Sequence, residues 1–159
     1  MSNVLNNGFL KEAIRLSIEN IESNAGGPFG AVIVRDGQII GRGCNCVEAT
    51  HDPTAHAEVT AIRDACGRLK TFSLAGCEIY TSCEPCPMCL AAIYWSRLDR
   101  IFYAATQTDA DGAGFDDEKI YREFSLPVAA RSIPMEQSLR DEACVAFQRW
   151  MLKEDRVGY

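Results

Sequence analysis

The 159-residue sequence predicts a single α/β domain, residues 1–159, with a mixed sheet covered by helices on both faces. Three observations predict it. Asp36-Gly37 lies between two β-branched runs and marks a tight opening hairpin. Beyond it, short apolar runs alternate with stretches of helical periodicity, the pattern of strand–helix–strand units. No repeat, linker or low-complexity segment divides the chain.

Taken in order, Leu10, Ala13, Ile14, Ser17, Ile18 and Ile21 recur at helical spacing and predict an amphipathic helix over about 8–22. Gly26-Gly27-Pro28 ends it. Residues 29–35 and 38–42 form the hairpin strands. Thr54 is the expected cap of a second helix, with Val59, Ile62, Cys66 and Leu69 on one face. Residues 77–81 read as a third strand. A third helix opens at Pro85-Cys86-Pro87, where proline is tolerated in a first turn, and runs to Arg97. Residues 100–104 read as a fourth strand and 106–117 as a polar loop. Residues 129–135 are the expected fifth strand, although Pro134 interrupts them. A closing helix carries Cys144, Phe147 and Met151 on one face.

Composition narrows the function. With 47% apolar and 24% charged residues the chain can bury a core, which excludes a disordered chain or a fibre. Sixteen basic residues against 22 acidic ones leave a net charge of −6, which argues against broad contact with nucleic acid or anionic membrane. No run approaches the roughly 18 apolar residues of a membrane span. The polar, Asn-rich first ten residues lack a signal-peptide core, so a cytoplasmic protein is expected. In that setting the eight cysteines stay reduced. Cys66, Cys77 and Cys144 sit in apolar stretches and read as small buried hydrophobes. Cys83, Cys86 and Cys89, crowded into seven residues, do not.

Cys86 and Cys89, two residues apart at a helix start, can turn both thiols the same way, and His56 opens another helix. Two thiolates and an imidazole suit zinc, and three protein ligands leave the fourth position open, as catalysis requires. Cys83 as a fourth ligand would instead close the site into a structural Cys3His knot; at the end of a strand and before the helix, it can pack as a core residue instead. His51 lies behind Asp52-Pro53, which favours an extended path, and reads as a loop residue. Glu58, two residues beyond His56, is not placed beside it by periodicity. Its side chain leans toward the helix N-terminus, however, and is long enough to reach a water at the open position.

His-x-Glu followed by Pro-Cys-x-x-Cys is the signature of the zinc nucleobase deaminases, in which the Glu carries protons and is not a ligand. Gly26-Gly27-Pro28-Phe29-Gly30, Asp52-Pro53-Thr54-Ala55-His56-Ala57-Glu58 and Ser82-Cys83-Glu84-Pro85-Cys86-Pro87-Met88-Cys89 carry a wider resemblance. With Ala92-Ile93-Tyr94-Trp95-Ser96-Arg97, Ala113-Gly114-Phe115-Asp116-Asp117 and the final Tyr159, the chain resembles the bacterial guanine deaminases of the cytidine-deaminase-like superfamily. The resemblance implies a three-layer α/β/α sandwich around a five-stranded sheet. It also implies one zinc per chain and a homodimer that exchanges its C-terminal helix and tail, residues 140–159. Phe29 and Asn45 would hold a purine base, Ala57 would offer a backbone donor, and Trp95 and Tyr159 would line or cover the pocket. Glu58 and Asp117 would carry protons. Cys44 and Cys46, flanking Asn45, depart from the ordinary polar residues expected there.

Three other readings share these motifs. A tRNA adenosine deaminase would need a basic surface, yet residues 149–159 hold Arg149, Lys153 and Arg156 against Glu154 and Asp155. A small-base enzyme acting on cytosine or ammeline is the second, and a purely structural zinc domain the third.

Overall fold

The computed structural model describes residues 7–158. They form two compact units, residues up to 118 and residues from 119 onward. The first unit is built on a four-stranded sheet of order β2-β1-β3-β4. Its elements are α1 (Asn7–Glu22), β1 (Gly30–Arg35), β2 (Gln38–Cys44), α2 (Val47–Thr50), α3 (Ala57–Leu69), β3 (Glu78–Cys83), α4 (Pro87–Trp95), β4 (Arg100–Ala105) and α5 (Gln107–Gly112).

The hairpin forms where expected. Asp36 and Gly37 have φ of 50° and 73°, the two left-handed residues that a tight turn between twisted strands requires. β1 pairs antiparallel with β2 and with β3, while β3 and β4 run parallel across α4, so the sheet is mixed.

Alternation along the central strands feeds two cores. Ala31, Ile33 and Ile79 pack with Ala57, Ala61 and Ala65 of α3 and Ile93 of α4. Val32, Val34 and Tyr80 face the other way, against Phe9, Leu10 and Leu16 of α1. β1 is buried over five consecutive residues because both faces are covered, giving the three layers. Tyr80 is 2% exposed, stacks on Phe102 at 4.6 Å and meets Phe9 edge-on at 5.2 Å. A Cβ on Gly43 would fall 2.2 Å from the Ala57 carbonyl, so β2 and the start of α3 touch backbone to backbone.

Glu12 of α1 is bonded by Arg15 of its own helix at 2.8 Å and by Arg42 of β2 at 3.1 Å. Arg15 foremost, with Arg42, holds the Glu12 carboxyl down to about 2 against the opposing effect of partial burial. A depressed carboxyl pKa stabilises the fold above the ordinary 4.5, and the contribution disappears as pH falls through about 2. Glu12→Gln therefore lowers Tm by a few degrees at pH 7, for a loss of about 1 kcal/mol. Circular-dichroism melts should show that difference shrinking below pH 4.5 and closing near 2. A difference constant across that range would mean that Glu12 acts by packing.

Four sequence expectations need correction. Thr54 does not cap the second helix: its N–H and hydroxyl both donate to Asp52 Oδ1, at 2.8 and 2.6 Å, and His56 is the cap residue of α3. Residues 47–50 form the short helix α2, which the sequence reading passed over. The polar loop contains α5, opened by a capping box between Thr106 and Asp109. The fifth strand is absent among the described residues. A 3-10 turn at Val128–Ala130, capped by Pro127, stands at its start, and the Ser132 N–H is taken by Glu123 Oε2 at 2.7 Å rather than by a sheet.

The second unit also holds α6, which begins at the boundary (Glu118–Ser125), and α7 (Arg140–Leu152). The apolar side chains expected on the closing helix are present but uncovered: Phe147 is 68% and Met151 62% exposed.

Candidate active site

Two helix N-termini build the centre of the site. His56 precedes α3 and Cys86 precedes α4, both with extended backbone at the cap position, and Cys89 lies in the first turn of α4. Pro87 at the first helical position needs no hydrogen-bond partner there. The ligand atoms of His56, Cys86 and Cys89 lie within 4.8 Å of one another. His56 Nδ1 is 3.5 Å from the sulfur of Cys86 and 3.5 Å from that of Cys89. Ordinary zinc–nitrogen and zinc–sulfur bonds at a tetrahedral angle span about 3.6 Å between nitrogen and sulfur, so the donor set fits the ion. The partial positive charge of both helix ends favours thiolate here. Cys86 is held down to about 4 by the hydrogen bond from Cys89 and by His56, whereas Cys89, the donor of that bond, is pushed up.

Cys83 stands apart. It is buried, its thiol points to the Thr106 carbonyl at 3.5 Å, and burial pushes it up to about 11. It is outside the converging set, so that set holds three side chains and leaves a tetrahedral ion one open position. His51 is an exposed, left-handed residue after α2. All eight cysteines are free thiols.

A cavity of about 320 Å³ opens at this centre. Its wall includes Phe29, Asn45, His56, Glu58, Cys86 and Asp117, six of the residues singled out from sequence. Glu58 is only 6% exposed, and burial raises its carboxyl pKa. Asp117 is raised too, first by burial and then by the Cys86 charge. Two carboxyl groups with increased proton affinity face one cleft, where they can take up and return protons. Ala57 opens α3, so its N–H is one of the amides without a partner inside the helix.

Other expected contacts fall elsewhere. Trp95 ends α4, is 63% exposed and does not belong to the cavity wall of this chain; the Arg97 guanidinium lies 6.0 Å over its ring. Tyr159 lies outside the described residues. The sequence reading missed Glu48, Glu84 and Phe115 as cavity residues. Phe115 packs edge-on against Phe29 at 4.8 Å, and Glu84 accepts the Gln107 N–H at 3.1 Å. Glu84 had a signal, since it directly precedes Pro85-Cys86.

This centre is that of a hydrolytic zinc deaminase, and the chain belongs to the cytidine and deoxycytidylate deaminase family, whose zinc-binding region matches residues 5–105. It is 56% identical to the guanine deaminase of Bacillus subtilis over 142 residues, which cover 89% of this chain and 91% of that one. The crystal structure of guanine deaminase from Bacillus subtilis superposes with a TM-score of 0.94 at 51% identity, over 98% of this chain and 99% of that one. A tRNA-specific adenosine deaminase of Aquifex aeolicus is 46% identical over 97 residues, 61% of this chain and 64% of that one.

Proposed function

We propose that this chain converts guanine and water to xanthine and ammonia. The observation that carries the reading is identity combined with reach: the guanine deaminase is 56% identical across 89% of the chain and the guanine deaminase structure superposes with a TM-score of 0.94, whereas tRNA deaminases are 46% identical across 61% or 36% identical across 82%. The net charge of −6 also favours a small base over a polyanion.

His56, Cys86 and Cys89 hold one zinc per chain. When bound, zinc acidifies a water to near neutrality and so supplies the nucleophile for C2 of the ring. Phe29 and Asn45 hold the purine, with the Ala57 N–H as a further donor. Glu58 takes the proton of the attacking water and passes it to the adjacent ring nitrogen. Asp117 assists Glu58 in protonating the departing amine, which leaves as ammonia. Cavity residues exclude bulk water, so these transfers stay between fixed partners.

The protein is, on this reading, a cytoplasmic homodimer in which residues 140–159 exchange between copies, bringing Tyr159 over the purine as a lid and Trp95 to the assembled pocket. The uncovered apolar side chains of α7 support a partner surface. A terminal aromatic preceded by Gly158 can turn a flat apolar face onto a flat base. Among the described residues no helix is long and apolar enough to cross a membrane.

Ammonia release from guanine, adenine, cytosine, ammeline and a tRNA anticodon stem-loop tests the activity. Guanine is expected to turn over fastest; deamination of tRNA adenosine with none of guanine would sink the assignment. Deleting residues 157–159 should leave zinc content and the melting curve intact while cutting guanine turnover by about tenfold or more. Unchanged kinetics would make the tail an ordinary loose end.

A further inference from the structure

Asn20 lies on α1 and is absent from the cavity wall, yet it is only 5% exposed and its side-chain amide joins two segments that form that wall. Nδ2 donates to the Gly27 carbonyl at 2.8 Å and to the Asn45 carbonyl at 2.9 Å. A carboxamide nitrogen carries two N–H donors, so one group can bridge two carbonyls. The same junction is closed by the Asn45 N–H, which donates to the Phe29 carbonyl at 3.1 Å. It is also closed by contact: a Cβ on Gly26 would fall 2.1 Å from the Asn45 carbonyl oxygen and 3.2 Å from Asn20 Nδ2. By contrast, among the described residues the Asn45 side chain itself is held by a long hydrogen bond. Its Oδ1 accepts the Val47 N–H only at 3.4 Å, a weak bond.

We propose that Asn20 is a positioning residue for substrate recognition, tying the Asn45 backbone to the Gly27–Phe29 segment so that Asn45 and Phe29 meet the purine as one preformed surface. This rests on Asn45 being a purine contact, as proposed above. Without the amide, two carbonyls lose a buried donor and the junction loosens. The substrate must then order the junction on binding, and that cost appears in affinity. His56 and Glu58 sit at the start of α3, and Cys86 and Cys89 at the start of α4, so the metal centre and the chemical step stay as they are.

The test is a double-mutant cycle on zinc-loaded protein, reading guanine KM and kcat, calorimetric binding of xanthine, and zinc content. The variants are Asn20→Ala, Asn20→Asp, Asn45→Ala and the Asn20→Ala/Asn45→Ala pair. Asn20→Asp keeps the side-chain shape while removing the paired donors, which covers a folding defect from the smaller residue. Both Asn20 variants are expected to raise KM and weaken xanthine binding by about tenfold, with kcat within about twofold and one zinc per chain. In the Asn45→Ala background, Asn20→Ala should add little, because its effect passes through Asn45. If Asn45→Ala raises KM but the Asn20 variants do not, or if the two effects simply multiply, the proposal alone falls. If Asn45→Ala changes neither KM nor xanthine binding, the purine-contact role of Asn45 falls and takes the proposal with it. Failure of both Asn20 variants to fold would assign the residue to the core and equally overturn it.

Discussion

Glu58→Gln retains one zinc per chain and loses roughly 10³-fold in guanine turnover, the range expected when a positioned proton carrier is removed. The asymmetry between metal and activity is the informative part. Glu58 is buried beside the ligands but is not one of them, since the converging donor set is His56, Cys86 and Cys89. Glutamine keeps the shape and the hydrogen-bonding capacity but cannot accept the water's proton at neutral pH. Burial has raised the Glu58 carboxyl, so the native group is costly to ionise where it stands. Glutamine matches the native side chain in size and shape, so the fold should stay intact and the melting curve should stay close to that of the native protein. Metal analysis, ammonia release and a melting curve on the same preparation check all three points. Zinc lost together with activity would make Glu58 a ligand and reverse the division of roles.

Cys86→Ser and Cys89→Ser should each lose zinc and all measurable guanine turnover, while Cys83→Ser keeps both. A serine hydroxyl is a poor substitute for thiolate toward zinc, and only two protein ligands would remain. Cys83 lies outside the converging ligand atoms and points at the Thr106 carbonyl at 3.5 Å, where a hydroxyl can take its place. Chelation of the native protein should likewise abolish activity, and added zinc should restore it. Zinc loss in Cys83→Ser equal to that in Cys86→Ser would mean a closed, structural site. Catalysis would then have to lie elsewhere.

Legibility followed distance along the chain. The hairpin was readable because Asp36 and Gly37 adopt the turn from their own backbone preferences. The ligand set was readable because Cys86 and Cys89 share one helical turn and His56-Ala57-Glu58 is a compact motif. The resemblance supplied Phe29, Asn45 and Asp117, which no local pattern would have placed in one cavity. It also implied a fifth strand, which is absent among the described residues, where Pro127 and Pro134 bracket the segment.

The sequence by itself determined the layered α/β class, both central strands and helices, and the three residues able to hold a metal. Periodicity, turn chemistry and ligand spacing are all set within a few neighbouring residues. Only the tertiary structure decided that Cys83 is excluded from the metal set, that Thr54 bonds Asp52 instead of capping α3, and that Glu48, Glu84 and Phe115 complete the cavity. It alone brought the amide of Asn20 against carbonyls 7 and 25 residues away. Such contacts arise where separate segments meet in space, and a carboxamide on a helix carries no local sign of which distant carbonyls it will find.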